Sequence, residues 1–481
     1  ICEGLVGSEM CIRDRLKTIP QENPEWDCRH LDLPQESLEV NSNRILEELT
    51  IDAKDSEVAY RDGERWVSGI KKINLPSLPL QPLPFKAGGI YLISGGLGGI
   101  GVEIAKYLLE NYQAKLLLLG RTPLPDSNSW EIYLQQGGKL AEKIKTYQQL
   151  QKLGGEVIYQ GVDIGHQKAV QDVVQQTLSG WDVQQLDGVI HLAGSYHESL
   201  LKEETKQSWA TLLHPKVRGA WVLHQLVQKQ PSTLVINFSS AAGVFGGATV
   251  GAYASSNSFL ENLTHYQRYQ RGLNSYCFAW TTWSETGMSK GYQMKYLTRA
   301  QGYSDLSVSQ GMSSMLAGLC RNQAYLMVGL DGSNLNIRRL TSTSDILQQL
   351  TAYFTTNGNG KGKPNVSVLE RQVQDVVGKP SSCAIVELAE MPLTEGGDID
   401  IGLLSQSNLG RSTQERVKPR NEMECQIAQI WQELLGVSLV GIYDNFFELG
   451  GNSLLATQVI SRLRQAFGNE LTLQDLFEYP T

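Results

Sequence analysis

Apolar and polar residues alternate in two different periods between residues 86 and about 340. Six short apolar segments have the length and composition of buried strands, and the segments between them repeat apolar residues every three or four positions, as amphipathic helices do. Such alternation predicts an α/β fold with a doubly wound parallel sheet and helices on both faces. The predicted strands cover residues 90–94, 115–119, 156–161, 188–193, 233–239 and 275–280.

The flanking regions have different patterns. Residues 16–85 contain shorter strand-like and turn-like segments and end in a proline-rich stretch, which predicts an extended connector. Residues 421–481 repeat apolar positions at helical spacing twice, which predicts a small α-helical bundle. The predicted domains cover residues 16–85, 86–345, 366–409 and 421–481, with linkers at 346–365 and 410–420.

Residues 1–15 differ from the rest of the chain. They begin without methionine and lack the charged and long apolar segments of a signal peptide. Their sequence, ICEGLVGSEMCIRDR, resembles a translated sequencing adapter joined to a gene fragment. We interpret them as a non-native leader and assign them no function.

Composition narrows the class of protein. A chain of 481 residues with 41% hydrophobic and 19% charged residues is typical of soluble globular domains. The net charge of −8 gives no basic surface for nucleic acid, and no apolar run approaches the ~18 residues of a membrane helix. The seven cysteines are scattered without a CxxC motif and the histidines lack metal-ligand spacing, so we expect no disulfide framework, no metal site and a reducing cytoplasm.

A glycine-rich turn joins the first predicted strand of the sheet to a helical pattern. Glycines allow a tight turn and let backbone N–H groups and the helix N-terminus approach a pyrophosphate, although an ordinary strand-to-helix turn remains an alternative. The candidate cofactor-binding residues of the turn are Gly95, Gly96, Leu97, Gly98, Gly99, Ile100 and Gly101.

The ends of the next strands add candidate cofactor contacts. Arg121 stands where an NAD enzyme would carry an acidic residue for the ribose hydroxyl, so a 2′-phosphate and NADPH are favoured. Asp163 and Ile164 follow the third strand and could meet the adenine, although a helix N-cap is an equal alternative for Asp163. Ala193 and Gly194 close the fourth strand and would leave room for the cofactor.

Four residues have the chemistry of proton transfer to a developing alkoxide. Tyr253 and Asn257 are four residues apart and therefore share one face of a helix, and Ser240 follows the fifth strand. A tyrosine with a pKa near ~10 needs help from a neighbouring cation at neutral pH, which Lys216 can supply. Lys216 follows Pro215, which could open a helix.

These residues together resemble the short-chain dehydrogenase/reductase superfamily and, within it, the ketoreductase domain of modular polyketide synthases. The resemblance covers residues 16 to about 340 and implies a Rossmann-like catalytic subdomain, a truncated structural subdomain before residue 86, and catalytic roles for Lys216, Ser240, Tyr253 and Asn257. Residues 280–288 resemble the family's lid over the substrate cleft. The sequence departs from the family where product configuration is determined: residues 196–198 replace the Leu-Asp-Asp signature, and Phe245 replaces a tryptophan.

Ser453 is the candidate attachment site of a second cofactor. It follows two glycines at a predicted helix start, where it could be a simple N-cap or carry a phosphate in the field of the helix N-terminus. Residues 421–481 resemble a phosphopantetheine carrier domain of the peptidyl type, truncated at its C-terminus, in which Ser453 aligns with the serine that carries 4′-phosphopantetheine. Residues 366–409 resemble a degenerate C-terminal subdomain of adenylation enzymes, with Asp398 in place of the catalytic lysine.

The resemblances imply a fragment of a hybrid polyketide and nonribosomal peptide megasynthase. We expect NADPH-dependent reduction of a carrier-bound 3-ketoacyl thioester, with other megasynthase domains and a phosphopantetheinyl transferase as partners. The alternatives are reduction of a carrier-bound 2-keto acid in a depsipeptide-type module, a non-catalytic carrier-docking scaffold, and a free-standing dehydrogenase.

Overall fold

The computed structural model divides the chain into two compact units. One unit contains residues 1–68, 73–338 and 452–454, and the other contains residues 69–72, 339–451 and 455–481. The structure describes residues 6–23, 25–51, 55–284, 286–289, 298–299, 301–334, 337, 341, 350–355, 383–388, 391, 417–435, 437, 439–446, 449, 451, 453–468, 471–472, 475–476, 479 and 481.

Fourteen strands and thirteen α-helices are found within the described residues. The strands are β1 (His30–Asp32), β2 (Glu57–Arg61), β3 (Glu64–Val67), β4 (Ile90–Ser94), β5 (Lys115–Gly120), β6 (Glu156–Gly161), β7 (Gly188–His191), β8 (Leu234–Ser240), β9 (Asn274–Trp280), β10 (Thr282–Trp283), β11 (Asp305–Leu306), β12 (Tyr325–Val328), β13 (Leu350–Thr355) and β14 (Cys383–Leu388). The helices are α1 (Val6–Glu22), α2 (Leu38–Thr50), α3 (Gly99–Tyr112), α4 (Trp130–Gln136), α5 (Gly138–Gln151), α6 (Gln167–Gly180), α7 (Lys206–Leu213), α8 (Ala220–Val227), α9 (Ala242–Phe245), α10 (Gly251–His265), α11 (Val308–Cys320), α12 (Glu422–Leu435) and α13 (Ser453–Phe467).

A seven-stranded parallel sheet forms the centre of the first unit. Its strand order is β12-β9-β8-β7-β4-β5-β6, and the apolar side chains of its strands pack with those of the covering helices in two apolar layers, one on each face. The order reverses direction between β4 and β7, which opens a crevice at the carboxyl ends of these two strands. The predicted doubly wound α/β fold is confirmed.

Two sequence predictions for this region needed correction, and one strand of the sheet was missed. Strand β7 ends at His191, two residues before the predicted end, because the chain turns away from the sheet there. Strand β12 was not predicted, since an apolar run of only four residues carries too little periodicity. Pro215 does not open a helix: it lies in a wide π-helical turn, His214–Gly219, that connects α7 to α8.

A small three-stranded sheet precedes the large one. Strands β1 and β2 are parallel and joined through α2, and β2 and β3 form a hairpin whose turn residues Asp62 and Gly63 both have positive φ. Helix α1 packs against α10 and crosses the boundary predicted at residue 15. Residues 13–15 of the predicted leader therefore make contacts, of which the ion pair between Arg13 and Glu57 is one.

The second unit contains β13, β14 and most of the two carrier-region helices. Strands β13 and β14 are parallel, so the prediction of a linker over residues 346–365 is wrong for residues 350–355. Residues 356–365 and Asp398 lie outside the described residues. Trp431 of α12 packs edge to face on Phe446, with ring centroids 5.1 Å apart. Across the described part of the chain, no helix combines the length and apolar character needed to cross a membrane.

Candidate active site

The glycine-rich turn lies at the carboxyl end of β4, next to β7. Gly95 has φ +73°, a left-handed conformation that glycine adopts without strain. A Cβ atom on Gly101 would come within 2.5 Å of the carbonyl oxygen of Gly95, so this glycine lets α3 begin directly against the turn. The turn leaves backbone N–H groups at the helix N-terminus, where an anion is favoured.

A cavity of about 1020 Å³ opens above this turn and brings most of the predicted site residues together. Two described site residues, Gly96 and Asn257, do not line it. The predicted residues that line it are Gly95, Leu97, Gly98, Gly99, Ile100, Gly101, Arg121, Asp163, Ile164, Ala193, Gly194, Lys216, Ser240 and Tyr253.

The floor of the cavity is fixed by two buried polar residues that sequence analysis missed. Ser94 Oγ lies 2.7 Å from His191 Nδ1 and accepts hydrogen bonds from the backbone N–H groups of Leu192 and Ala193. Burial, with the nearby Lys216 ammonium, lowers the pKa of His191 to about 3, so this histidine is neutral. The pair holds the chain turned away from the sheet after β7.

Two cations face the cavity where a 2′-phosphate was predicted. Arg121 follows β5, and Lys143 projects from the middle of α5. Among the described residues, neither has an ion pair with a carboxylate. Burial and the neighbouring Arg121 lower the pKa of Lys143. Sequence analysis missed Lys143, because the packing of α5 rather than any motif brings it there.

Asp163 lines the cavity, and its side chain makes hydrogen bonds within the protein. Its Oδ1 accepts the backbone N–H of Gly165 and lies 2.8 Å from His214 Nε2. These hydrogen bonds lower the pKa of Asp163 although burial opposes them. The N-cap of α6 is His166, so the N-cap alternative for Asp163 is wrong.

Lys216 is buried, with 3% of its surface exposed. Its Nζ donates a hydrogen bond of 2.7 Å to the carbonyl of Phe238 in β8, and burial lowers its pKa to about 8. The place of the side chain depends on Gly194, because a Cβ there would lie 2.9 Å from Lys216 Cε.

Tyr253 stands on α10 beside the end of β8. Burial raises the pKa of its phenol, and hydrogen bonds from Ser240 and Asn257 lower it part of the way. We expected the ammonium of Lys216 to lower this pKa; among the described groups, Ser240 and Asn257 do so instead. Asn257 donates to the Tyr253 carbonyl at 2.8 Å, and its buried Oδ1 has no hydrogen-bond partner among the described residues.

Two of the residues that depart from the family pattern, Tyr196 and Glu198, line the cavity. The ring of Tyr196 meets that of Tyr253 edge to face, and its hydroxyl donates to the carboxylate of Glu198. Phe245 stacks on Tyr303, with ring centroids 5.9 Å apart. Met288, in the segment predicted as a lid, also lines the cavity.

The remaining predicted site residue is Ser453, at which α13 begins. The residues that follow place an apolar face inward, with Leu455, Val459, Ile460 and Leu463 buried. The predicted helix start is thus found at the expected position.

Comparison with protein families identifies both regions. Residues 89–285 match the model of the KR domain, and residues 425–481 match the model of the phosphopantetheine attachment site. The chain carries a ketoreductase domain and a phosphopantetheine carrier domain. Both predicted resemblances are therefore confirmed.

The curated relatives of the ketoreductase domain are long multidomain proteins. Polyketide synthase PksL of Bacillus subtilis is 26% identical over 387 residues, which cover 78% of this chain and 8% of the relative. A 6-methylsalicylic acid synthase of Arthrobotrys oligospora is 31% identical over 273 residues, which cover 57% of this chain and 15% of the relative. The chain thus spans less than a fifth of the length of these relatives.

Two solved structures illustrate the structural similarity. A multidomain structure with adenylation, ketoreductase and pseudo Asub domains, from a keto acid-selecting NRPS module, is 29% identical and has a TM-score of 0.63; the match covers 82% of this chain and 33% of that one. A ketoreductase domain from the bacillaene assembly line is 24% identical, with a TM-score of 0.58 and coverage of 69% and 76%, and shows the same fold.

Proposed function

We propose that this chain reduces the keto group of an acyl thioester carried on phosphopantetheine at Ser453, with NADPH as the reductant. The observation that carries the proposal is the single cavity that holds the glycine turn, Ser240 and Tyr253 together. A reductase needs both a dinucleotide site and a proton donor within reach of one carbonyl.

The residues of the cavity fit NADPH. The glycine turn leaves room that a side chain at Gly101 would fill, and Arg121 with Lys143 offers positive charge to a 2′-phosphate. Asp163 and Ile164 would border the adenine, and Ala193 and Gly194 would lie beneath the cofactor. When bound, NADPH supplies the hydride for the keto carbon.

The protein supplies the proton and its positioning. Because its pKa is raised, Tyr253 is protonated at neutral pH and can donate its phenolic proton to the alkoxide oxygen. Ser240 hydrogen-bonds the same oxygen and orients the carbonyl. The hydrogen bonds from Ser240 and Asn257 that lower the Tyr253 pKa stabilise the phenolate that remains, and the open acceptor of Asn257 suits a water that returns the proton. Lys216, which lines the cavity, would contact the cofactor ribose.

The choice of substrate depends on the position of the keto group. The sequence favoured a 3-ketoacyl thioester, and similarity to polyketide synthases supports that candidate. We favour a 2-keto acid thioester instead, because the solved structure that is 29% identical and matches 82% of this chain comes from a keto acid-selecting module. The similarity thus extends beyond the ketoreductase part of the chain.

The test is NADPH consumption with matched 2-ketoacyl and 3-ketoacyl thioesters. We expect faster turnover of the 2-keto compound, lost in Tyr253→Phe; faster turnover of the 3-keto compound would favour the polyketide-type substrate. If neither thioester is reduced and calorimetry detects no NADPH binding, the alternative of a non-catalytic carrier-docking scaffold would be favoured. A phosphopantetheinyl transferase with coenzyme A should modify the wild-type chain but not Ser453→Ala, and failure with the wild type would favour a free-standing dehydrogenase.

A further inference from the structure

Glu22, the last residue of α1, connects two loops that are distant in sequence. Its Oε2 accepts the backbone N–H of Leu201 at 2.9 Å, and its Oε1 accepts the backbone N–H of Thr249 at 3.0 Å. Glu22 lies outside residues 89–285, which match the KR family model. One carboxylate therefore ties the N-terminal helix to two separate segments of the ketoreductase domain.

The two segments also contact each other. We name residues 195–201 the Tyr196 loop and residues 246–250 the Thr249 loop. The backbone N–H of Ser199 donates to the carbonyl of Thr249 at 2.8 Å. Thr249 has φ +67°, which a β-branched residue adopts only under constraint, so the contacts of its backbone must hold it there. The hydrogen bond to Glu22 is one of those contacts.

Both loops form the substrate side of the cavity. Tyr196 and Glu198 line it from the Tyr196 loop, and all five residues of the Thr249 loop line it from the other. The ring of Tyr196 touches the ring of Tyr253. Glu22 itself does not line the cavity, so any effect on the reaction must pass through the loops.

We propose that Glu22 is a positioning residue for the acyl substrate. Its carboxylate fixes the Tyr196 loop against the Thr249 loop and thereby determines how the acyl group lies beside Tyr253. The part that concerns the reaction rests on the proposed ketoreduction. The prediction that Glu22 orders the two loops stands on the hydrogen bonds alone.

The test uses Glu22→Gln in the full chain, with Glu25→Gln as the matched control. The amide keeps the size of the side chain but replaces one acceptor oxygen with a donor, which faces a backbone N–H. Loss of a hydrogen bond to a charged group should raise KM for the ketoacyl thioester about tenfold, with kcat and the Kd of NADPH changed less than about threefold. The minor alcohol enantiomer should increase. Glu25 is exposed three residues further along, and its variant should match the wild type.

Hydrogen–deuterium exchange tests the loops without any reaction. Glu22→Gln should speed exchange at the amides of Leu201 and Thr249, with exchange in the central sheet unchanged. Glu22→Asp keeps the carboxylate on a side chain one methylene shorter, so it should loosen the same two hydrogen bonds and speed exchange at the amides of Leu201 and Thr249 even if Glu22→Gln folds poorly.

Each result has a distinct meaning. Unchanged exchange at Leu201 and Thr249 would overturn the proposal, as would a KM and an enantiomer ratio equal to those of the wild type. An equal loss of NADPH affinity and substrate affinity would also overturn it, since general unfolding would explain both. If the wild type reduces neither thioester, the proposed function fails, and the exchange result alone decides whether Glu22 orders the loops.

Discussion

The aromatic ring of Tyr196 packs edge to face against that of Tyr253, with ring centroids 5.1 Å apart and ring planes at 84°. Tyr253 is the proposed proton donor, and Tyr196 stands where the family pattern carries a residue of the Leu-Asp-Asp signature. In the proposed reaction the substrate would approach the donor along a surface that Tyr196 partly forms.

Removal of the Tyr196 ring should change the configuration of the product. An aromatic pair contributes about 0.5–1.5 kcal/mol, so Tyr196→Ala should shift the ratio of the two alcohols by about two- to tenfold. Tyr196→Phe keeps the ring but loses the hydrogen bond to Glu198, and its ratio should stay near that of the wild type. Chiral chromatography of the product measures both variants. An equal shift in both would assign the effect to the hydroxyl and contradict this prediction.

Arg121 and Lys143 should both select NADPH over NADH. Loss of one charged hydrogen bond costs about 1.5–3 kcal/mol, so Arg121→Gln should weaken NADPH binding about ten- to a hundredfold, with little effect on NADH. Lys143→Gln should act in the same direction, more weakly, because the side chain is a flexible point charge. Lys145→Gln is the control, since Lys145 is exposed on the same helix and does not line the cavity. Isothermal titration calorimetry measures the Kd of NADPH and of NADH for each variant. Equal NADPH affinities of Lys143→Gln and Lys145→Gln would refute the role of Lys143.

Adjacent serines should have different roles. Both serines line the cavity, but only Ser240 bonds Tyr253, so Ser240→Ala should lower kcat by about 10²-fold or more with a small change in stability. The hydroxyl of Ser239 donates to Glu261 at 2.8 Å, and its oxygen also lies 3.2 Å from the Asn257 carbonyl. Ser239→Ala should therefore cost about 1–3 kcal/mol of unfolding free energy. Urea unfolding measures the stability of both variants, and single-turnover rates measure their catalysis. A stability loss in Ser240→Ala together with a rate loss in Ser239→Ala would contradict the prediction.

The buried Lys216 should make stability depend on pH. Its pKa is about 8 in the folded protein and should be near the ordinary 10.5 when unfolded. Between these values Lys216 binds more protons in the unfolded chain, so this residue should contribute a rise of about 3 kcal/mol in the free energy of unfolding as the pH increases, which the buried Cys277, whose pKa is raised, opposes. Lys216→Met should lack this rise, whereas Lys145→Met should keep it. Urea unfolding across this pH range checks the prediction, and equal slopes in wild type and Lys216→Met would contradict it.

Local features of the site were predictable from the sequence. The glycine turn needs Gly95 at positive φ and Gly101 without a side chain, and both requirements act within a few residues. Tyr253 and Asn257 share a helix face because they are four residues apart. Most of the predicted strand ends lie within one residue of the observed ends, because buried strands of a parallel sheet are nearly continuous apolar runs.

Only the tertiary structure decided which distant residues meet. Lys216 contacts the carbonyl of Phe238, Lys143 joins Arg121 at the cavity, and Glu22 reaches Thr249 from 227 residues away. These contacts depend on how the helices pack on the sheet and on which loops lie side by side in the folded chain. Periodicity records which face of an element is buried but not which side chain or backbone group lies opposite it, so the sequence determined the fold and the chemistry, and packing determined their arrangement.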